Sequence, residues 1–153
     1  MNEFIEQVIE RAAENVRQNG GPFAALVVKA GKAIATGVNR VTGSNDPTAH
    51  AEIVAIREAC RALGDFRLTG CDVYSSCEPC PMCLGALYWA RPARIFFAAT
   101  RHDAAAAGFD DAYIHEQMET PCSQRAIPTI QLAAPGALRP FEEWLNQPDK
   151  TKY

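Results

Sequence analysis

The chain has 153 residues, the length of one ordinary domain, and an apolar fraction of 48% is enough to bury a continuous core without disulfide staples. Its 15 Lys and Arg against 18 Asp and Glu leave a formal charge of −3, which argues against a large polyanionic substrate. Met1-Asn2-Glu3-Phe4 has no basic segment leading into a long apolar core, and runs such as Ala24 to Val28 are too short to cross a bilayer, so a cytoplasmic location is expected.

Apolar residues at Phe4, Ile5, Val8, Ile9, Ala12, Ala13 and Val16 follow helical spacing and predict a helix over 2–18, stopped by Asn19-Gly20-Gly21-Pro22. Residues 23–29 read as a buried strand, and Ala30-Gly31 turns the chain into a second strand over 32–38. A loop from Asn39 to Pro47 follows. Asp46-Pro47-Thr48 resembles an N-cap with proline at the first helical position, placing His50 and Glu52 in the first turns of a helix to about Leu63.

Strands are expected at 70–76 and 94–99, separated by a helix that Pro79-Cys80-Pro81 opens and Arg91-Pro92 ends. Beyond them, 110–118 and 140–145 suggest helices, 127–132 a last strand, and 146–153 a polar tail. Strands alternating with helices after a hairpin predict a three-layer α/β/α sandwich around a mixed five-stranded sheet, in a single domain.

Two stretches carry the chemistry, Thr48-Ala49-His50-Ala51-Glu52 and Ser76-Cys77-Glu78-Pro79-Cys80-Pro81-Met82-Cys83. Zinc takes imidazole and thiolate, and a catalytic site keeps one of its four positions open for water. Two cysteines three apart on a first helical turn reach one metal, where the helix dipole favours their thiolates. Glu52, two residues after His50, points away from it on a straight helix flank. The two converge only if the helix N-terminus itself aims at the metal. Two helix N-termini on one zinc are therefore expected, with His50, Cys80 and Cys83 as ligands and Glu52 as proton carrier.

Cys77 opens two rival readings. With His50, Cys80 and Cys83 it makes a closed structural Cys3His zinc site, and a scaffold in place of an enzyme. The same run invites an iron–sulfur reading, for which the fourth cysteine is missing. The third reading ends the preceding strand at Cys77 and packs its side chain under the site. His-x-Glu with Pro-Cys-x-x-Cys is itself the signature of zinc deaminases. Zinc lowers the pKa of water to about 7. One carboxylate then takes the proton of the attacking water and returns it to the departing ammonia, which typically contributes about 10²–10⁴-fold.

The chain resembles the cytidine-deaminase-like superfamily and, within it, bacterial guanine deaminases. The resemblance runs through Gly21-Pro22-Phe23, Gly37-Val38-Asn39, both zinc stretches and the run Gly85 to Pro92. It is most specific at Gly108-Phe109-Asp110-Asp111 and in the short tail ending at Tyr153; Ala24 departs from it, where relatives usually carry glycine. It implies hydrolytic deamination of guanine to xanthine, with zinc on His50, Cys80 and Cys83 and Glu52 as proton shuttle. It also implies that Asn39 reads the purine edge, Phe23 and His50 hold the ring face, Trp89 lines the pocket and Asp111 is a second acid. Tyr153 and the tail 146–153 would close over an active site, that of the partner in a domain-swapped homodimer.

On the residues alone, Phe23 and Trp89 read as core, Asp110-Asp111 as an N-cap pair before Ala112 and Tyr153 as a frayed end, while Asn39 also fits a loop turn. Guanine nevertheless gives a second carboxylate and a purine-reading amide something to do. Cytosine, a nucleoside or a triazine are the alternative substrates. A tRNA adenosine deaminase calls for basic residues that the net charge does not supply.

Overall fold

A computed structural model describes residues 2–153. The chain divides into two compact units, Met1–Ala112 and Tyr113–Tyr153. In the first, Asn2 turns its side-chain oxygen onto the Phe4 amide at 3.0 Å and so caps helix α1, Glu3–Arg17. Strands β1 (Ala24–Lys29) and β2 (Lys32–Val38) form the expected hairpin, with Ala30 and Gly31 both at positive φ, 48° and 74°. A four-residue helix, α2 (Val41–Ser44), lies in the segment read as loop. Then follow α3 (Ala51–Leu63), β3 (Cys71–Cys77), α4 (Pro81–Ala90), β4 (Arg94–Ala99) and α5 (Arg101–Ala106).

The sheet runs β2-β1-β3-β4. β1 is antiparallel to both neighbours, whereas β3 and β4 are parallel and α4 is the crossover between them. Side-chain alternation along β1 and β3 splits the core into two layers. Ala24, Leu26, Val28 and Tyr74 pack with Val8 and Ala12 of α1. Ala25, Val27 and Val73 pack with Ala51, Ala55 and Ala59 of α3 and Leu87 and Ala90 of α4. The predicted three-layer mixed sandwich is therefore present.

α3 reaches its place because of Gly37: a Cβ there would overlap the backbone carbonyl of Ala51, so glycine lets the start of α3 lie directly on β2.

The sheet has four strands, a correction to the expected five. Residues 127–132 form no strand, and Ile127, Ile130 and Leu132 are at least 75% exposed. Pro128 removes one of the amides a ladder needs. The second unit contains most of α6 (Ala112–Glu119), a 3₁₀ turn at Cys122–Gln124 and α7 (Arg139–Asn146). Among the described residues, no helix is long and apolar enough to cross a membrane.

Candidate active site

His50 is the N-cap of α3 and Cys80 the N-cap of α4. An N-cap side chain normally turns back to satisfy the first free amides of its helix. Neither does so here. Instead the two side chains face each other: Cys80 Sγ lies 3.6 Å and Cys83 Sγ 3.5 Å from His50 Nδ1. All three donor atoms lie within 4.8 Å of one another. Ligands at zinc bond lengths of about 2.0–2.3 Å in a tetrahedron stand about 3.6 Å apart, so the donor set and its spacing fit zinc.

The expected cap at Asp46-Pro47-Thr48 is corrected. Asp46 Oδ1 accepts from the Thr48 amide at 2.8 Å and its hydroxyl at 2.7 Å, closing a turn ahead of the helix. The helix begins at Ala51 because His50 is still extended, with φ −65° and ψ 156°. That places His50 at the helix mouth, where two N-termini meet as the spacing of His50 and Glu52 required.

The electrostatics suit metal binding. Hydrogen bonds from the Cys83 thiol and then His50 hold the Cys80 thiol down to about 4 against the cost of burial. Cys83, as the donor, is pushed up. The hydrogen bond with Cys80 raises His50.

Glu52 lies outside the donor group and is only 6% exposed. Its Oε1 accepts from Ser75 Oγ at 2.9 Å, and the same carboxyl meets the Cys83 thiol. Burial raises its pKa above the ordinary 4.5. Cys77 ends β3, and its Sγ reaches the Thr100 carbonyl at 3.5 Å, away from the ligands. Among the described residues the group that would hold the metal is thus His50, Cys80 and Cys83.

A second cluster adjoins the ligands. The Asn39 amide donates to the Phe23 carbonyl at 3.0 Å, and the next amide, of Arg40, donates to Ala49 beside His50 at 2.9 Å. Asn15 Nδ2 donates to the carbonyls of Gly21 at 2.8 Å and Asn39 at 3.0 Å. Asn39 Oδ1 accepts from the Val41 amide at 3.2 Å.

The half-buried Phe23 meets Phe109 edge-on at 5.0 Å, so the Gly108–Asp111 run lies beside it. Asp110 Oδ1 accepts from the Ala112 amide at 2.9 Å at the start of α6, and Asp111 beside it is half-buried.

Trp89 is 65% exposed on α4, so it is no core residue. Tyr153 is 72% exposed and belongs to the second unit. Sequence reading missed Asn15 and Ser75. The available signal for Ser75 was a polar residue on the otherwise apolar, α3-facing side of β3.

The α/β sandwich and its two-helix ligand set define a zinc deaminase fold. The chain belongs to the cytidine and deoxycytidylate deaminase zinc-binding family, which its residues 1–99 match. It is 51% identical to the guanine deaminase of Bacillus subtilis (strain 168) over 151 residues, 98% of this chain and 97% of that one. The X-ray structure of guanine deaminase from Bacillus subtilis superposes with a TM-score of 0.98 at 51% identity, covering 100% of this chain and 99% of that chain. A tRNA-specific adenosine deaminase of Agrobacterium fabrum is 43% identical over 96 residues, 63% of each chain.

Proposed function

We propose that this chain hydrolyses guanine to xanthine and ammonia, with Glu52 moving the protons. The carrying observation is where the likeness extends. Identity of 51% with a guanine deaminase spans 98% of the chain, whereas the likeness to the tRNA-specific adenosine deaminase spans 63%. The zinc-binding region itself ends at residue 99, so the residues after it are what favour guanine.

Zinc on His50, Cys80 and Cys83 supplies Lewis acidity that brings the pKa of water to about 7. Glu52 accepts the two protons of the attacking water in turn, passing the first to the ring nitrogen and the second to the amino group, which departs as ammonia. Its Oε1 is engaged by Ser75, which supports Oε2 as the oxygen that moves the protons. Asp111 serves as the second acid, close to the ring nitrogen and amino group under attack. Asn39 reads the purine carbonyl and imidazole edge, while Phe23 and the His50 ring hold the base between them. Trp89 lines the outer wall. The tail 146–153 and Tyr153 close over an active site and exclude water.

A homodimer exchanging these tails is supported by the apolar side chains left exposed: Tyr88 and Trp89 on α4, and Phe141 and Leu145 on α7. The six cysteines are free thiols, which suits the cytoplasm.

Ammonia release from zinc-loaded protein, offered guanine, cytosine, adenine and their nucleosides, tests the reading. Release from guanine alone supports it. Release from cytosine or a nucleoside keeps the proton chemistry and discards the pocket assignments. Truncation after Asn146 is expected to impair guanine turnover, and mixing that variant with Glu52→Gln restores activity if the tails act in trans.

A further inference from the structure

Three buried polar side chains lie among the described residues of the core: Glu52, Ser75 and Ser76. Two of them have roles already. Glu52 faces the metal ligands. Ser76 Oγ accepts the Ala24 amide at 3.0 Å, one step beyond the last backbone pair of β1 and β3, and so completes the ladder. Ser75 has no such structural task. It is 1% exposed, on the side of β3 that faces α3, and its hydroxyl donates at 2.9 Å to Oε1 of Glu52.

A hydroxyl removed from water on a central strand costs free energy unless a partner meets it, and apolar residues serve that position at no such cost. The neighbouring residues on the same side, Val73 and Cys71, are apolar and fully buried.

We propose that Ser75 is a positioning residue for Glu52, fixing the carboxyl so that Oε2 faces the reacting groups. The inference rests on the reading of Glu52 as proton carrier. Glu52 lies one residue into α3, on a side chain with three rotatable bonds. Helix geometry alone therefore does not set where its oxygens lie. Ser75 projects from a rigid central strand flanked on both sides, and a hydrogen bond from such a support removes rotamers a proton carrier does not use. It touches no ligand donor of the metal group, so its effect reaches the chemistry through Glu52 alone.

The test uses an isosteric pair, Ser75→Thr and Ser75→Val, which share one shape and differ by the hydroxyl. Both variants are expected to hold zinc at the wild-type stoichiometry, with KM for guanine within about threefold of wild type. Ser75→Thr keeps kcat within about threefold, while Ser75→Val loses about tenfold or more, within the range that misplacing a catalytic group produces. A crystal structure of zinc-loaded Ser75→Val is expected to show the Glu52 carboxyl displaced.

Equal kcat in the Thr and Val variants, or an unmoved carboxyl, overturns the proposal. So does a Ser75→Val loss that persists in full on a Glu52→Gln background, since a residue acting through Glu52 has nothing left to position there. Should Ser75→Val fold poorly, Ser75→Ala gives the same comparison without the added volume. Glu52→Gln with wild-type turnover removes the proton-carrier reading and Ser75 with it. An inactive Glu52→Gln beside an unimpaired Ser75→Val removes Ser75 alone.

Discussion

Asn15 donates its side-chain amide to the backbone carbonyl of Asn39 at 3.0 Å, across 24 residues of chain. The same amide holds the carbonyl of Gly21 at 2.8 Å. A residue on the first helix thereby ties together the two segments that carry Phe23 and Asn39. Asn15→Ala leaves both carbonyls without this donor and is expected to destabilise the protein by about 1–3 kcal/mol. Steady-state kinetics should show KM for guanine rising more than kcat falls, with zinc content unchanged. A variant with wild-type KM would show that the two segments hold their positions without it.

Glu52→Gln retains the ligands and removes the proton carrier. Metal analysis is expected to find zinc at the wild-type level, and kcat to fall by about 10²–10⁴-fold. Loss of zinc in this variant would show that the carboxylate contributes to metal binding.

The same substitution has an opposite effect on the metal-free fold. Burial raises the Glu52 pKa above its ordinary 4.5, so the folded state holds the proton more tightly than the unfolded chain does. The stability this gives is present in full below the unfolded value and is lost as pH rises through the folded one. In chelator, Glu52→Gln is therefore expected to melt above wild type at about pH 8, with the gap closing at about pH 4. Equal melting at the higher pH would mean that the carboxylate ionises without cost.

Cys77→Ser is expected to keep its zinc, because Cys77 Sγ is engaged with the Thr100 carbonyl and stands outside the ligand group. Metal analysis of the purified variant decides it: a drop in zinc content returns the closed four-ligand site to consideration.

Asp110 and Asp111 are expected to separate. Asp110→Ala removes the acceptor of the Ala112 amide and should cost about 0.5–2 kcal/mol of stability with little change in kcat. Asp111→Asn should lower kcat by more than Asp110→Ala does. The reverse pattern would exchange their roles.

Much of this arrangement was legible in the sequence because its determinants are local. The β4 boundaries follow from the apolar run Ile95 to Ala99 between Arg94 and Thr100, and α4 from Pro81 at its first position and Pro92 past its end. His50, Cys80 and Cys83 declare themselves by residue type and spacing.

The start of α3 misled because Asp-Pro-Thr is also good turn chemistry, and the residue that caps the helix, histidine, is not one that capping preferences favour. Residues 127–132 misled because alternation predicts a strand only where a partner strand waits, and pairing is a property of the whole fold. Asn15 and Ser75 act across 24 and 23 residues of chain, and single-sequence periodicity has no means of pairing residues at such separations.

α3 and α4 are each preceded directly by a residue of the metal-binding group, His50 and Cys80. The tolerance of the chain to insertions and deletions is therefore sharply uneven. Residues added within the largely exposed segment Val41 to Thr48, a short helix and a turn, leave the register of α3 intact, whereas one residue added between His50 and Glu52 swings the carboxylate by roughly 100° about the helix axis. The same holds between Cys80 and Cys83, where a single extra residue moves the second thiol off the shared face. Across homologous sequences, length variation should accumulate before His50 and vanish within the two short ligand runs.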